Sequence, residues 1–174
     1  RFSTVFGFSP RMRYDLALNG MIESSFVRKV LPIMRDGKQY RPLVHVKDCA
    51  RSIIFFLRKE IDIINGEVFN IGSDNCTVSI NQLANIIKKS VKNLKINWYG
   101  SPDNRSYKVD FSKSKKLGFV TKYNLDFGIR EIINKLKSNK DNAKKPINIT
   151  LDWYKLLEQM TPTILSCQLK SKII

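Results

Sequence analysis

Long apolar runs, histidine, cysteine and acidic residues are all scarce in this sequence. Nowhere do its 174 residues approach the ~18 consecutive apolar positions that a membrane span needs. The opening stretch Arg1-Phe2-Ser3-Thr4-Val5-Phe6-Gly7 lacks the apolar core and small-residue cleavage site of a signal peptide. It also lacks an initiator Met and reads as the middle of a strand, so the expectation is a piece of something longer. The three cysteines, Cys49, Cys76 and Cys167, are widely spaced and odd in number. They form no CxxC pair and no zinc spacing with the single histidine, His45. A reduced, cytoplasmic compartment follows as the expectation, with neither a metal site nor a membrane partner.

The acidic shortage is the largest imbalance: 15 Asp and Glu stand against 31 Lys and Arg, for a formal net charge of +16. Such a balance raises a nucleic-acid reading. The lysines, however, are scattered along the chain among abundant Asn and Ile, as biased composition gives. No helix combines basic residues with base-reading polar groups, so no nucleic-acid partner is expected. Part of the charge remains available to an anionic ligand. Hydrophobic residues make up 43%, enough for a packed core.

What the sequence does hold is alternating strand and helix patterns, which argue for an α/β fold. Phe2 to Phe6 reads as a strand ended by Gly7 and Pro10. Asp15 to Val27 has apolar residues at helical spacing. Arg35-Asp36-Gly37-Lys38 is a turn, and Leu43 to Val46 a short strand. Asp48 has the position of an N-cap for a helix running to Arg58. Glu67 to Ile71 reads as a strand, and Ser79 as the N-cap of a helix carrying Ile80, Leu83, Ala84, Ile86 and Ile87. Lys95 to Trp98 reads as another strand. A helical turn from Ser112 closes at Gly118. Asp126 is expected to cap a helix with Ile129, Ile132, Ile133 and Leu136 inward. Lys137 to Lys145 is polar and loop-like. A last short helix spans Leu151 to Glu158. Residues 1–160 form the expected folded part, and residues 161–174 a poorly ordered tail.

Chemistry-bearing motifs are few. GxSxG, glycine-rich phosphate loops and HExxH are absent, and His45 reads as a packing histidine inside a strand. Three polar residues stand out at the ends or faces of regular elements. Asn19 lies on a largely apolar helix, where a buried amide needs partners, and it can donate to a phosphate; a solvent-facing Asn is the alternative. Arg41 precedes Pro42 and an apolar strand, where a guanidinium can fork onto a diphosphate. Arg105 lies in the turn-rich loop Ser101-Pro102-Asp103-Asn104-Arg105-Ser106-Tyr107, and loops on rigid scaffolds often carry binding groups. Solvated surface arginines remain the alternative for both.

Together these segments resemble a known family. The order R-F-S-T-V-F-G, S-P-R-M-R-Y-D-L-A-L-N, D-G-K-Q-Y-R-P-L-V-H-V-K-D-C-A, G-E-V-F-N-I-G-S, T-V-S-I-N-Q-L-A and D-N-R-S-Y-K-V-D-F-S-K-S-K-K-L-G-F is similar to the C-terminal half of the extended short-chain dehydrogenase/reductases. These are the NAD-dependent nucleotide-sugar epimerases and dehydratases. The resemblance extends through L-D-F-G-I-R-E-I to L-D-W-Y-K, covering Arg1 to about Leu157. It implies an α/β fold made of late strands of a Rossmann-type parallel sheet plus a small mixed α/β substrate-binding domain, without the N-terminal Rossmann core.

The resemblance also implies a nucleotide-diphosphate sugar as ligand, NAD or NADP as cofactor of the complete enzyme, and a homodimer. Asn19 matches a position contacting the substrate phosphate, and Arg41 an arginine gripping the diphosphate. Arg105 resembles a dehydratase-type arginine that reaches the nucleotide. Ser3 matches a position whose backbone lies near the nicotinamide carboxamide. Thr4 stands where several epimerases carry a substrate-contacting Asn. Pro42 replaces an Asp or Asn common in the family, and Tyr99 and Gly100 occupy the region of a further diphosphate-binding arginine. The family's catalytic Tyr-x-x-x-Lys is absent: no Tyr here is followed four positions later by Lys. The chain alone is therefore expected to bind substrate without turning it over. The alternatives are a non-catalytic sugar-nucleotide-binding module acting with a separate Rossmann chain, and a basic nucleic-acid-binding protein.

Overall fold

A computed structural model describes residues 1–138 and 145–166 of the chain. In chain order it runs β1 (Thr4–Phe6), α1 (Ala17–Arg28), β2 (Val30–Met34), β3 (Tyr40–His45), α2 (Val46–Leu57), α3 (Ile61–Ile64), β4 (Thr77–Ser79), α4 (Ile80–Ser90), β5 (Lys95–Tyr99), α5 (Ser112–Lys116), α6 (Leu125–Ser138) and α7 (Thr150–Ser166). The expected α/β class is what forms. Strands β1, β3 and β4 make one sheet in that order, β1 parallel to β3 and β3 antiparallel to β4. A second sheet pairs β2 with β5 in parallel.

Side-chain periodicity explains the helices that build the core. Ile80, Leu83, Ala84 and Ile87 of α4 are buried, as are Ile129, Ile132, Ile133 and Leu136 of α6. Both series recur every three to four residues and form one stripe per helix. They pack with Leu18, Met21 and Ile22 of α1 and with Leu31 and Ile33 of β2. Each such fully buried aliphatic side chain stabilises the fold by about 1.5–3 kcal/mol. A smaller cluster, Val44, Cys49, Ile71 and Phe119, lies under the rings of Phe55, Phe56 and Phe69.

Helix starts separate local from long-range chemistry. Ser79 caps α4 as expected: its hydroxyl accepts from the Gln82 amide at 3.2 Å while Gln82 Oε1 accepts from the Ser79 amide at 2.8 Å. Asp48 does not cap α2. His45 occupies that place, its Nδ1 accepting from the Lys47 amide at 3.2 Å. Asp48 sits inside the first turn, fully buried, and accepts from the backbone of Lys122 and Tyr123 instead. Asp126 likewise lies within α6, and the cap contact comes from Asn124 Oδ1, which accepts from the Phe127 amide at 2.9 Å.

Other expected boundaries shift. Val30–Met34, not anticipated, is a strand because β5 offers it a full partner. Glu67 to Ile71 contributes a single parallel bridge, Phe2 to Ile71. Helix α7 runs through Pro162 to Ser166, so residues 161–166 are helical where an irregular tail was expected. The expected loop falls partly on residues 139–144, and the rest of the tail on residues 167–174, both outside the described residues.

His45 is a joint of the fold. It is fully buried, with Nε2 donating to Glu131 Oε2 at 3.1 Å and the rings of Phe6, Tyr123 and Phe127 around it at centroid distances of 5.0–5.4 Å. Gly7 permits this in two ways. Its φ of +106° favours glycine, and any Cβ there would come within 2.5 Å of His45 Nε2.

Candidate functional site

Strand β3, the loop before it and the segment following β5 converge on a cavity of about 1030 Å³. Thr4, Tyr14, Gln39, Arg41, Asp103 and Arg105 supply much of its polar lining, and Pro32, Met34, Ile80 and Tyr99 much of its apolar wall. Three of the five residues singled out from sequence therefore share one space: Thr4 from β1, Arg41 from β3 and Arg105 from the loop after β5. Asn19 is buried beside the cavity on α1 and does not line it. Its Nδ2 donates to the Arg13 carbonyl at 3.3 Å, and its Oδ1 has no partner. Ser3 is also outside it. Its amide donates to the Ile71 carbonyl at 3.0 Å, and its buried hydroxyl, unpartnered, lies against Gly72.

One carboxylate gathers both arginines. Arg41 donates through one terminal nitrogen to Asp103 Oδ2 at 2.7 Å, and through the other to the carbonyls of Tyr40 and Arg105. Arg105 grips the same carboxylate in a fork, Nε to Oδ1 at 2.9 Å and Nη2 to Oδ2 at 3.1 Å. The Arg105 hydrogen bonds, followed by the charges of Arg105 and Arg41, hold the Asp103 carboxyl at a pKa of about 2. Asp103 is thus an anion at neutral pH, held by two guanidinium groups. The Arg41 guanidinium also lies 5.9 Å from the centre of the Tyr107 ring, within cation–π range. Arg105 keeps most of its side chain in solvent, whereas Arg41 is largely covered.

Two functional candidates escaped the sequence reading. Asp103 stands two residues before Arg105, a spacing that signals a local carboxylate–guanidinium pair. Its partner Arg41, 62 positions away, leaves no such signal. Gln39 stands two residues before Arg41, and nothing in its neighbours announces that it is buried. Tyr14, also on the cavity, has its hydroxyl pKa pushed up to about 12 by burial and then by Glu23, so it is a neutral donor and no base. Among the described residues, no group of three His, Cys, Asp or Glu could hold a metal ion. No helix there is long and apolar enough to cross a membrane.

The α/β frame thus brings two arginines to one cavity beside strand β3. Known sequences and structures resemble it. Residues 1–72 match the model of the NAD dependent epimerase/dehydratase family. It is 30% identical over 147 residues to a putative UDP-glucose 4-epimerase of Methanocaldococcus jannaschii, covering 80% of this chain and 45% of that protein. It is 28% identical over 144 residues to the UDP-glucuronate 4-epimerase of Thermodesulfobacterium geofontis, covering 80% and 42%. Among solved structures, the UDP-glucuronic acid 4-epimerase of Bacillus cereus in complex with UDP-glucuronic acid and NAD superposes with a TM-score of 0.67 at 30% identity, covering 79% of this chain and 44% of that one. The chain thus spans less than half the length of these relatives, and its fold is that of part of an extended short-chain dehydrogenase/reductase.

NAD is bound in structures of the Bacillus cereus UDP-glucuronic acid 4-epimerase. Ser3, expected near the nicotinamide through its backbone, has a buried, unpartnered hydroxyl against Gly72, and its amide is taken by the Ile71 carbonyl. The described residues offer no glycine-rich loop for the phosphates of NAD and no Tyr-x-x-x-Lys pair, so no step of hydride chemistry is derived from them.

Proposed function

We propose that this chain is the nucleotide-sugar-binding portion of an NAD-dependent epimerase or dehydratase, and that its 174 residues bind substrate without completing the reaction. The observation that carries this reading is the meeting of Arg41, Arg105 and Thr4 on one cavity from three separate segments. Two guanidinium groups side by side suit a diphosphate, whose oxygens accept charged hydrogen bonds in parallel. The relatives' UDP-sugar ligands agree in chemistry with that pair. Thr4 is proposed to face the sugar. Asn19, turned away from the cavity, is proposed to support its wall by holding the Arg13 carbonyl. Ser3 is proposed to lie at the edge of the nicotinamide.

Calorimetry with UDP-glucose and UDP-glucuronate tests the reading. A charged hydrogen bond contributes about 1.5–3 kcal/mol, so Arg41→Ala should weaken binding by roughly tenfold or more. Unchanged affinity would remove Arg41 from the site.

A second reading is a non-catalytic module that acts with a separate Rossmann-type chain. It is favoured by an exposed apolar face on α2 and its surroundings, where Phe2, Ile53, Leu57 and Val68 are about half exposed or more. Contiguous apolar surface of this kind marks a place where another body packs. The coding sequence upstream of Arg1 distinguishes the two. A dinucleotide loop and a Tyr-x-x-x-Lys in the same frame support the single enzyme, and the same motifs in a separate frame support the module.

A further inference from the structure

We propose that Gln39 reads the nucleobase of the bound nucleotide and sets the chain's preference for uracil, a proposal that rests on the cavity being a nucleotide-diphosphate site. Gln39 lines the cavity yet is only 4% exposed, and its Oε1 is buried without a hydrogen-bond partner. An unsatisfied buried amide oxygen costs about 1–3 kcal/mol, which a ligand donor reaching it recovers.

Its backbone, by contrast, is firmly held. The Gln39 carbonyl accepts from the Ile80 amide at 3.2 Å. In the turn just before it, the Gly37 carbonyl accepts from the Asn81 amide at 2.9 Å, and the Asp36 carbonyl from Asn81 Nδ2 at 3.2 Å. The amide is therefore presented from a rigid turn, as a recognition group should be.

Position decides which part of the ligand it meets. Gln39 and Arg41 are two residues apart, the spacing that sends side chains to the same side of an extended segment, and both line the cavity. Thr4 pairs with Leu43, four residues beyond Gln39 and so about 13 Å along the strand. Arg41 lies between them. With the diphosphate at Arg41, Gln39 and Thr4 face opposite ends of the ligand.

The apolar wall selects the end. Met34 pairs with Tyr99 in the second sheet, the Arg35 amide donates to the Tyr99 carbonyl at 3.0 Å, and the turn runs from there straight into Gln39. Ile80 thus touches Gln39 directly, and Met34 and Tyr99 stand at the start of the turn that leads to it. A planar base suits such surfaces by stacking, which leaves the Thr4 end to the sugar. The imide edge of uracil carries one N–H donor beside a carbonyl acceptor, which a primary amide matches with two antiparallel hydrogen bonds.

Calorimetry on the 174-residue chain with UDP and its N3-methyl analogue tests this. Methylation removes the imide donor, so it should weaken binding to the unaltered chain by about tenfold, the loss of one good hydrogen bond. Gln39→Met, which fills similar space without hydrogen bonding, should weaken UDP by a similar factor and abolish the difference between the two ligands. Arg41→Ala should weaken both equally and preserve the difference. Melting curves of each variant establish that it folds. If Gln39→Met keeps the full methylation penalty while Arg41→Ala weakens binding, Gln39 does not read the base and the cavity reading stands. If the folded chain binds neither ligand, both ideas are lost together.

Discussion

Replacing Asp48 tests the long-range reading of this buried carboxylate against its expected role as a local cap. In the structure Asp48 is fully buried. Its two oxygens accept from the Lys122 amide at 3.0 and 3.1 Å and from the Tyr123 amide at 3.0 Å, and it pairs with Arg51. Asp48→Ala deletes the acceptor for both amides and leaves the Arg51 guanidinium to the Val120 carbonyl and solvent. Each hydrogen bond to a charged group contributes about 1.5–3 kcal/mol, which puts the two amides together at about 3–6 kcal/mol. Lys122 is exposed, so water recovers part of that, and the expected loss is about 3 kcal/mol. For a domain of this size, such a loss lowers the melting temperature by roughly 6–12 °C. Asp48→Asn keeps one acceptor oxygen and should lose about half as much. Urea unfolding followed by circular dichroism and by tryptophan fluorescence measures both, and an unchanged denaturant slope licenses the comparison. A loss below ~1 kcal/mol for Asp48→Ala would refute the reasoning, as would equal losses for Ala and Asn. Either result would mean that the 120–123 segment is held by something other than this carboxylate.

Two further outcomes follow from the joint around His45. Burial first of all, against the opposing pull of Glu131, lowers the His45 pKa below its usual 6.5. The unfolded chain therefore takes up a proton that the folded chain refuses, so stability should fall as pH drops below about 6.5. His45→Gln should flatten the urea midpoint across pH 7 to 5; an undiminished slope there would assign it to other groups. Gly128→Ala should destabilise by about 1–3 kcal/mol through overpacking, because a Cβ on Gly128 would press into the Phe6 ring. A neutral or stabilising result by thermal melting would show that the α6–β1 contact is looser than described.

What the sequence determined by itself is whatever depends on neighbours a few positions apart. The inward stripes of α4 and α6 repeat every three to four residues. The Ser79–Gln82 capping box spans three, and the glycine closing the turn after α5 follows directly. The ordered set of motifs from Arg1 onward was legible too, and with it the family likeness and the α/β class. Tertiary structure decided the rest, because the deciding partners are far apart in the chain. Val30–Met34 is a strand on account of β5, some 65 positions on. Asp48 looked like a cap and became a clamp on amides 74 and 75 residues away. Arg41 and Arg105 were expected at one diphosphate only through the family resemblance, and their meeting on one carboxylate, Asp103, is the work of the fold. Gln39 had no signature at all, since an amide acquires meaning only when folding buries it unpaired beside a cavity. Periodicity and capping are written in local backbone geometry. Convergence of polar groups from separate segments is not.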